Sequence, residues 1–134
     1  MDKFSNKYLF LKSAEILDTW KASELLFDLT IVWNQRLQTS AGRARLLEQV
    51  VELNPRLLKA NPENLLEVLT HELAHLVVFA RHGKTPPHGK EWKALMREAS
   101  LTPTVCHKME VKGLRRTRKR SKTSFKRILK LLIK

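Results

Sequence analysis

The chain has 134 residues, 43% of them hydrophobic, and carries a formal net charge of +13 at neutral pH. This suffices for one domain with its own core, and no apolar run approaches the ~20 residues of a membrane span. Cys106 is the only cysteine, which excludes an internal disulfide framework. Together with the lack of an apolar signal stretch at residues 1–6, it sets the expectation of an intracellular protein, in cytoplasm, nucleoid or nucleus.

The charge is unevenly placed. Residues 1–111 hold 15 Lys/Arg against 13 Asp/Glu, whereas residues 112–134 hold 11 Lys/Arg and no acid. The expected organisation is therefore a nearly neutral domain over 1–111 and a basic tail over 112–134.

In chain order, residues 13–27 read as a helix, with Ile16, Leu17, Trp20 and Phe27 on an apolar stripe; Tyr8 to Leu11 is apolar but ambiguous. From Leu29 the period changes to two, with Leu29, Ile31 and Trp33 alternating with Thr30, Val32 and Asn34, as in a strand. Thr39-Ser40-Ala41-Gly42 is a turn signal. Residues 43–47 and 49–53 read as two more strands, the second stopped by Asn54-Pro55.

Asn61-Pro62-Glu63 has the form of a helix start, with a capping residue, a proline in the first position and an acid in the first turn. Leu65, Leu66, Leu69, Leu73, Leu76 and Val77 continue it at helical spacing, and Gly83 stops it. Pro87-His88-Gly89 opens a last helix carrying Trp92, Leu95, Met96 and Ala99, which Pro103 would end. The pattern predicts an α+β fold: an N-terminal helix, a small three-stranded sheet and two further helices.

Mid-way along the long helix lies His71-Glu72-Leu73-Ala74-His75, an H-E-x-x-H motif. Histidines four apart share one helical face, so both imidazoles can reach one Zn²⁺ ion. Glu72 then faces the water on that metal and can act as the general base. Catalytic zinc sites usually take a third protein ligand. His82, Glu91, Glu98 and His88 compete for that role. His82 lies two helical turns past His75, too far along the axis, while His88 sits on a turn that can fold back, which favours it.

With these residues in hand, the chain resembles the SprT-like zinc metalloprotease (Spartan-related) family. The resemblance rests on Trp33-Asn34, residues 39–44, residues 53–58, the H-E-x-x-H motif and His88-Gly89-Lys90-Glu91-Trp92. It implies a zincin-like domain, Zn²⁺ held by His71, His75 and His88, and a peptidase that cuts DNA-associated proteins, as in DNA–protein crosslink repair. Relatives that continue into a four-cysteine zinc ribbon differ here, because Cys106 stands alone and reads as a small buried thiol.

The tail contains Arg115, Arg116, Arg118, Lys119, Arg120 and Lys122, a run suited to phosphate backbones through counterion release, without base readout. Beyond Ser124, Phe125, Ile128, Leu129, Leu132 and Ile133 fall at helical spacing among lysines and arginine, which suits docking on the domain, a partner groove or, less well, an acidic membrane surface. The leading expectation is a zinc endopeptidase with a polypeptide substrate and nucleic acid as partner. Two other classes stay open: a zinc-dependent nuclease, and a non-catalytic nucleic-acid-binding regulatory module with a structural metal. Tyr8, Arg81 and His82 are equal candidates for an oxyanion donor.

Overall fold

The computed structural model describes residues 2–101. Helix α1 (Asn6–Thr19) starts earlier than its periodicity suggests, because Ser5 caps it: the Ser5 side chain accepts from the Tyr8 amide at 3.1 Å. The helix also ends sooner than residue 27. Lys21 adopts φ 54°, Ala22 N–H bonds back to Leu17 O and Lys21 N–H to Asp18 O, a Schellman ending without glycine. A separate 3-10 turn, Ser23–Phe27, follows, and Phe27 lies 92% exposed rather than on the apolar stripe.

The sheet comprises β1 (Thr30–Trp33), β2 (Gly42–Arg45) and β3 (Val50–Leu53) in the order β1-β3-β2. β3 pairs parallel with β1 and antiparallel with β2. The alternation expected in β1 holds, with Ile31 and Trp33 packed against the core and Thr30 and Val32 exposed. β2 starts at Gly42, which the turn signal had absorbed, and stops at Arg45.

On the face away from the core, Arg43 and Asn34 converge on Glu52. Arg43 Nη2 donates to Oε1 and Oε2 at 2.6 and 2.8 Å, and Asn34 Nδ2 donates to Oε2 at 3.1 Å. This carboxylate is buried but fully engaged. Asn54 is a second anchor. Its side-chain amide donates to Leu37 O, Ser40 O and Gln38 O, while its oxygen accepts from Arg56 and Leu57 N–H. One residue thus pins the β1–β2 loop and caps α2 (Pro55–Ala60), a short helix where the sequence suggested only a strand stop.

Asn61 precedes a 3-10 turn, Pro62–Asn64, that leads into α3 (Leu65–His82); its side-chain amide makes no capping bond to that turn and donates to Leu57 O at 2.9 Å. Every residue from Val68 to Val78 is buried, because α1, β2, β3 and α4 all pack around this helix. Leu65, Leu69 and Leu73 are inside as expected, whereas Leu66 is 38% exposed. Each fully buried leucine contributes roughly 1.5–3 kcal/mol. Gly83 ends α3 with φ 68°, a backbone region that favours glycine.

Helix α4 (Lys90–Glu98) places Trp92, Leu95 and Met96 in the core. It ends before Pro103, again by a Schellman arrangement: Ser100 has φ 61°, and Leu101 N–H reaches Met96 O. Trp20 Nε1 donates to Leu95 O at 2.9 Å, and Arg81 donates to Trp20 O, tying α1, α3 and α4 together. No described helix is long and apolar enough to cross a membrane. Pro103, Cys106, the basic run from Arg115 to Lys122 and the amphipathic stretch from Ser124 onward lie outside the described residues.

Candidate metal centre

The α-helical repeat brings His71 and His75 onto one face of α3, with ring centroids 5.0 Å apart. The turn released at Gly83 then carries the chain back, so that His88 comes to rest beside them. His88 Nε2 lies 3.2 Å from His71 Nε2, and its ring centroid is 4.8 Å from that of His75. One ring nitrogen from each histidine falls within 4.8 Å of the others, the only such cluster of metal-binding side chains among the described residues.

The donor set fits a divalent metal. Nitrogens bound tetrahedrally at about 2.0–2.1 Å stand roughly 3.4 Å apart, close to the spacing of His71 and His88. His75 Nε2 is buried with no hydrogen-bond partner among the described residues. Burial, helped by the charge of His88 nearby, lowers the His75 pKa from 6.5 to about 3, which keeps the imidazole in the neutral form a metal requires. Imidazole donors of this kind suit zinc, copper, iron or nickel.

Glu72 is buried on the same helix, and neither of its carboxylate oxygens has a hydrogen-bond partner among the described residues. Burial raises its pKa well above 4.5. An orphaned carboxylate in a core costs about 1–3 kcal/mol or more, so its retention points to a task outside folding.

Two residues that sequence reasoning gave other roles shape this centre. Trp92, fully buried, stacks almost parallel to His75 at 5.7 Å and meets His71 and His88 edge-on at 4.8 and 4.5 Å. Its Nε1 donates to His71 O at 3.3 Å. Only its place four residues after His88 hinted at this. Gly42 stands behind Glu72: a Cβ there would meet Val68 Cγ1 at 3.0 Å and Glu72 Cγ at 3.2 Å, so β2 can lie this close to α3 only without a side chain.

The competing third ligands lie elsewhere. His82, Glu91 and Glu98 line a groove between the end of α3 and α4, and none joins the histidine cluster. Arg81, raised as an oxyanion donor, is engaged with Trp20 O, and Tyr8 lies on α1 with Lys12 over its ring.

A helix and the following loop of this α+β domain gather three histidines that could hold a metal ion, two of them and a buried glutamate in an H-E-x-x-H arrangement. More specifically, the SprT-like family profile matches residues 11–112, and the chain belongs to the SprT-like family. Protein SprT of Pasteurella multocida (strain Pm70) is 40% identical over 91 residues, covering 66% of this chain and 54% of that protein. Protein SprT of Klebsiella pneumoniae (strain 342) is 43% identical over 88 residues, 64% of this chain and 52% of that protein. Protein SprT of Escherichia coli O1:K1 / APEC is 45% identical over 80 residues, 58% and 48% respectively. The chain thus spans about half the length of the curated relatives it matches. No solved structure matches it.

Proposed function

We propose that this protein is a zinc-dependent endopeptidase acting on DNA-associated proteins, including proteins crosslinked to DNA. The observation that carries the reading is Glu72, a buried carboxylate without a protein partner on the helix that supplies two of the three clustered histidines. His71, His75 and His88 would hold the Zn²⁺. When bound, the ion would supply Lewis-acid polarisation of a peptide carbonyl and acidify water. Glu72 would take a water proton on a carboxylate oxygen and deliver it to the departing amine nitrogen. Trp92 would hold the imidazoles in orientation from behind. β2 ends the sheet next to α3, so its outer edge is available to an extended polypeptide by strand addition.

Arg115, Arg116, Arg118, Lys119, Arg120 and Lys122 would keep the enzyme on nucleic acid without sequence choice. Incubating the zinc-loaded protein with casein or histones, and separately with RNA or single-stranded DNA, tests the activity. Proteolysis that Glu72→Gln abolishes is expected. Cleavage of nucleic acid alone, lost in that variant, would overturn the peptidase in favour of a nuclease. No turnover on any polymer would leave a metal-bearing binding module. Deleting residues 112–134 is expected to weaken DNA binding and flatten its salt dependence while zinc content stays the same. Unchanged DNA affinity would refute the role of the tail.

A further inference from the structure

A cavity adjoins the centre. It has a volume of about 220 Å³ and shares His75 as one wall. Val78 and Phe79 follow His75 by three and four residues, so they lie on the same face of α3 and extend that wall by one turn. Leu46, at the start of the β2–β3 turn, faces them, and Pro87 closes the cavity from the loop before His88. Gly83 makes this closure possible, since its φ of 68° reverses the chain and returns residues 84–87 alongside α3. Among the described residues the only charged side chain in the lining is Lys84, which is exposed, and no carboxylate lines the cavity. The larger groove between α3 and α4, by contrast, is rimmed by Arg81, Lys90, Glu91 and Glu98 and contains no histidine of the cluster.

We propose that this pocket is a subsite that takes a large aliphatic or aromatic side chain adjacent to the scissile bond and rejects basic side chains. The proposal rests on the endopeptidase reading. Successive residues of an extended chain are about 3.3 Å apart, so a pocket walled by a metal-ligand ring serves a residue next to the reacting carbonyl. Leu46, Val78, Phe79 and Pro87 offer that residue apolar contact. A lysine or arginine would meet Lys84 with no acid to pair it. Large apolar residues are mostly buried in folded proteins. The pocket would therefore direct cleavage to unfolded segments even when the surrounding protein is rich in basic residues.

The test separates binding from turnover. Blocked peptides of sequence Gly-Gly-Xaa-Gly-Gly, with Xaa as Leu, Phe, Gly or Lys, are titrated calorimetrically into the zinc-loaded, full-length Glu72→Gln protein. Leu and Phe peptides are expected to bind about tenfold more tightly than Gly, on the scale of burying such a side chain, and Lys no better than Gly. Leu46→Trp, which fills the pocket from a half-exposed turn, should bring Leu and Phe down to the Gly level. Lys84→Glu, at an exposed position, should raise Lys above Gly. Equal affinities across the series, or preferences untouched by both substitutions, overturn the proposal. Sequencing the fragments that the wild type makes from unfolded casein should then find Leu or Phe enriched at one fixed position beside the cut. Cleavage without that enrichment sinks the pocket and leaves the peptidase. An apolar preference in binding with no cleavage upholds the pocket and sinks the peptidase.

Discussion

Two glutamates are buried among the described residues, and they are treated in opposite ways. Glu52, on β3, is 3% exposed and receives hydrogen bonds from Arg43 and Asn34, so its charge is matched where it sits. Glu72, on α3, is 1% exposed and has neither cation nor hydrogen-bond donor among the described residues. The two are near neighbours across β2, for Gly42 approaches both the Glu52 carbonyl and the Glu72 side chain. The same fold thus satisfies one carboxylate with its own donors and leaves another without any among the described residues. A charge that a protein neutralises with its own donors serves the structure; one that it buries without them is held for chemistry.

The largest expected break in this contrast is in turnover. Glu72→Gln should lower peptidase kcat by about 10²–10⁴-fold, the range of a lost general base, while zinc content measured by atomic spectroscopy stays at wild-type level. A variant that keeps full activity would remove Glu72 from the reaction. Arg43→Met should do the reverse: stability falls by about 3–5 kcal/mol in urea unfolding, because Glu52 loses its cation, while activity per folded molecule is retained. An unchanged midpoint would show that Asn34 alone satisfies Glu52.

Metal comes next. Zinc at 100 times its Kd should stabilise the wild type by about 2.7 kcal/mol in a thermal or denaturant scan. His88→Ala should lose most of that gain at the same zinc concentration, whereas Arg43→Met should keep it. Equal stabilisation of the wild type and His88→Ala would remove His88 from the ligand set.

The smallest net effect is in pH, where two buried groups pull in opposite directions. In the metal-free protein, burial holds His75 neutral, with its pKa lowered from 6.5 to about 3. As pH falls below 6.5 the unfolded chain gains a proton there and the folded one does not, so stability is lost toward pH 3 by up to about 1.4 kcal/mol per unit. Glu72 acts in the other direction. Its folded pKa is raised well above 4.5, so its contribution is present below 4.5 and is lost as pH rises through the folded value. The two slopes oppose each other between pH 4.5 and 6.5. Metal-free Glu72→Gln, lacking one of them, should gain stability relative to wild type as pH rises above 4.5. A wild-type-minus-variant difference that is flat in pH would refute the shift at Glu72.

Much of this was legible in the residues. The pairing of His71 with His75 and the position of Glu72 follow from a helical repeat that the leucine spacing marks independently. Leu29, Ile31 and Trp33 marked β1 in the same way, since period two has no other structural use. The reading failed where the backbone does something its residue type does not advertise. Lys21 and Ser100 take left-handed conformations without being glycine, so α1 and α4 stop where no sequence signal stands. Ser5 extended α1 backward through one side-chain hydrogen bond. Leu66 and Phe27 looked like core residues because their spacing fitted, but burial depends on what packs opposite them.

Spacing alone marked the local pattern: a helix face with two histidines, a carboxylate beside the first, a stop at Gly83 and a return loop bearing a third histidine. These depend on interactions within one or two turns, which spacing encodes. Which distant groups meet was left to packing. It placed His88, and not His82, Glu91 or Glu98, beside His71 and His75, set Trp92 against all three rings, and brought Gly42 close to Glu72. It also gave Glu52 its partners and denied them to Glu72. Long-range contacts of this kind depend on how helices and strands pack, and no period along the chain records them.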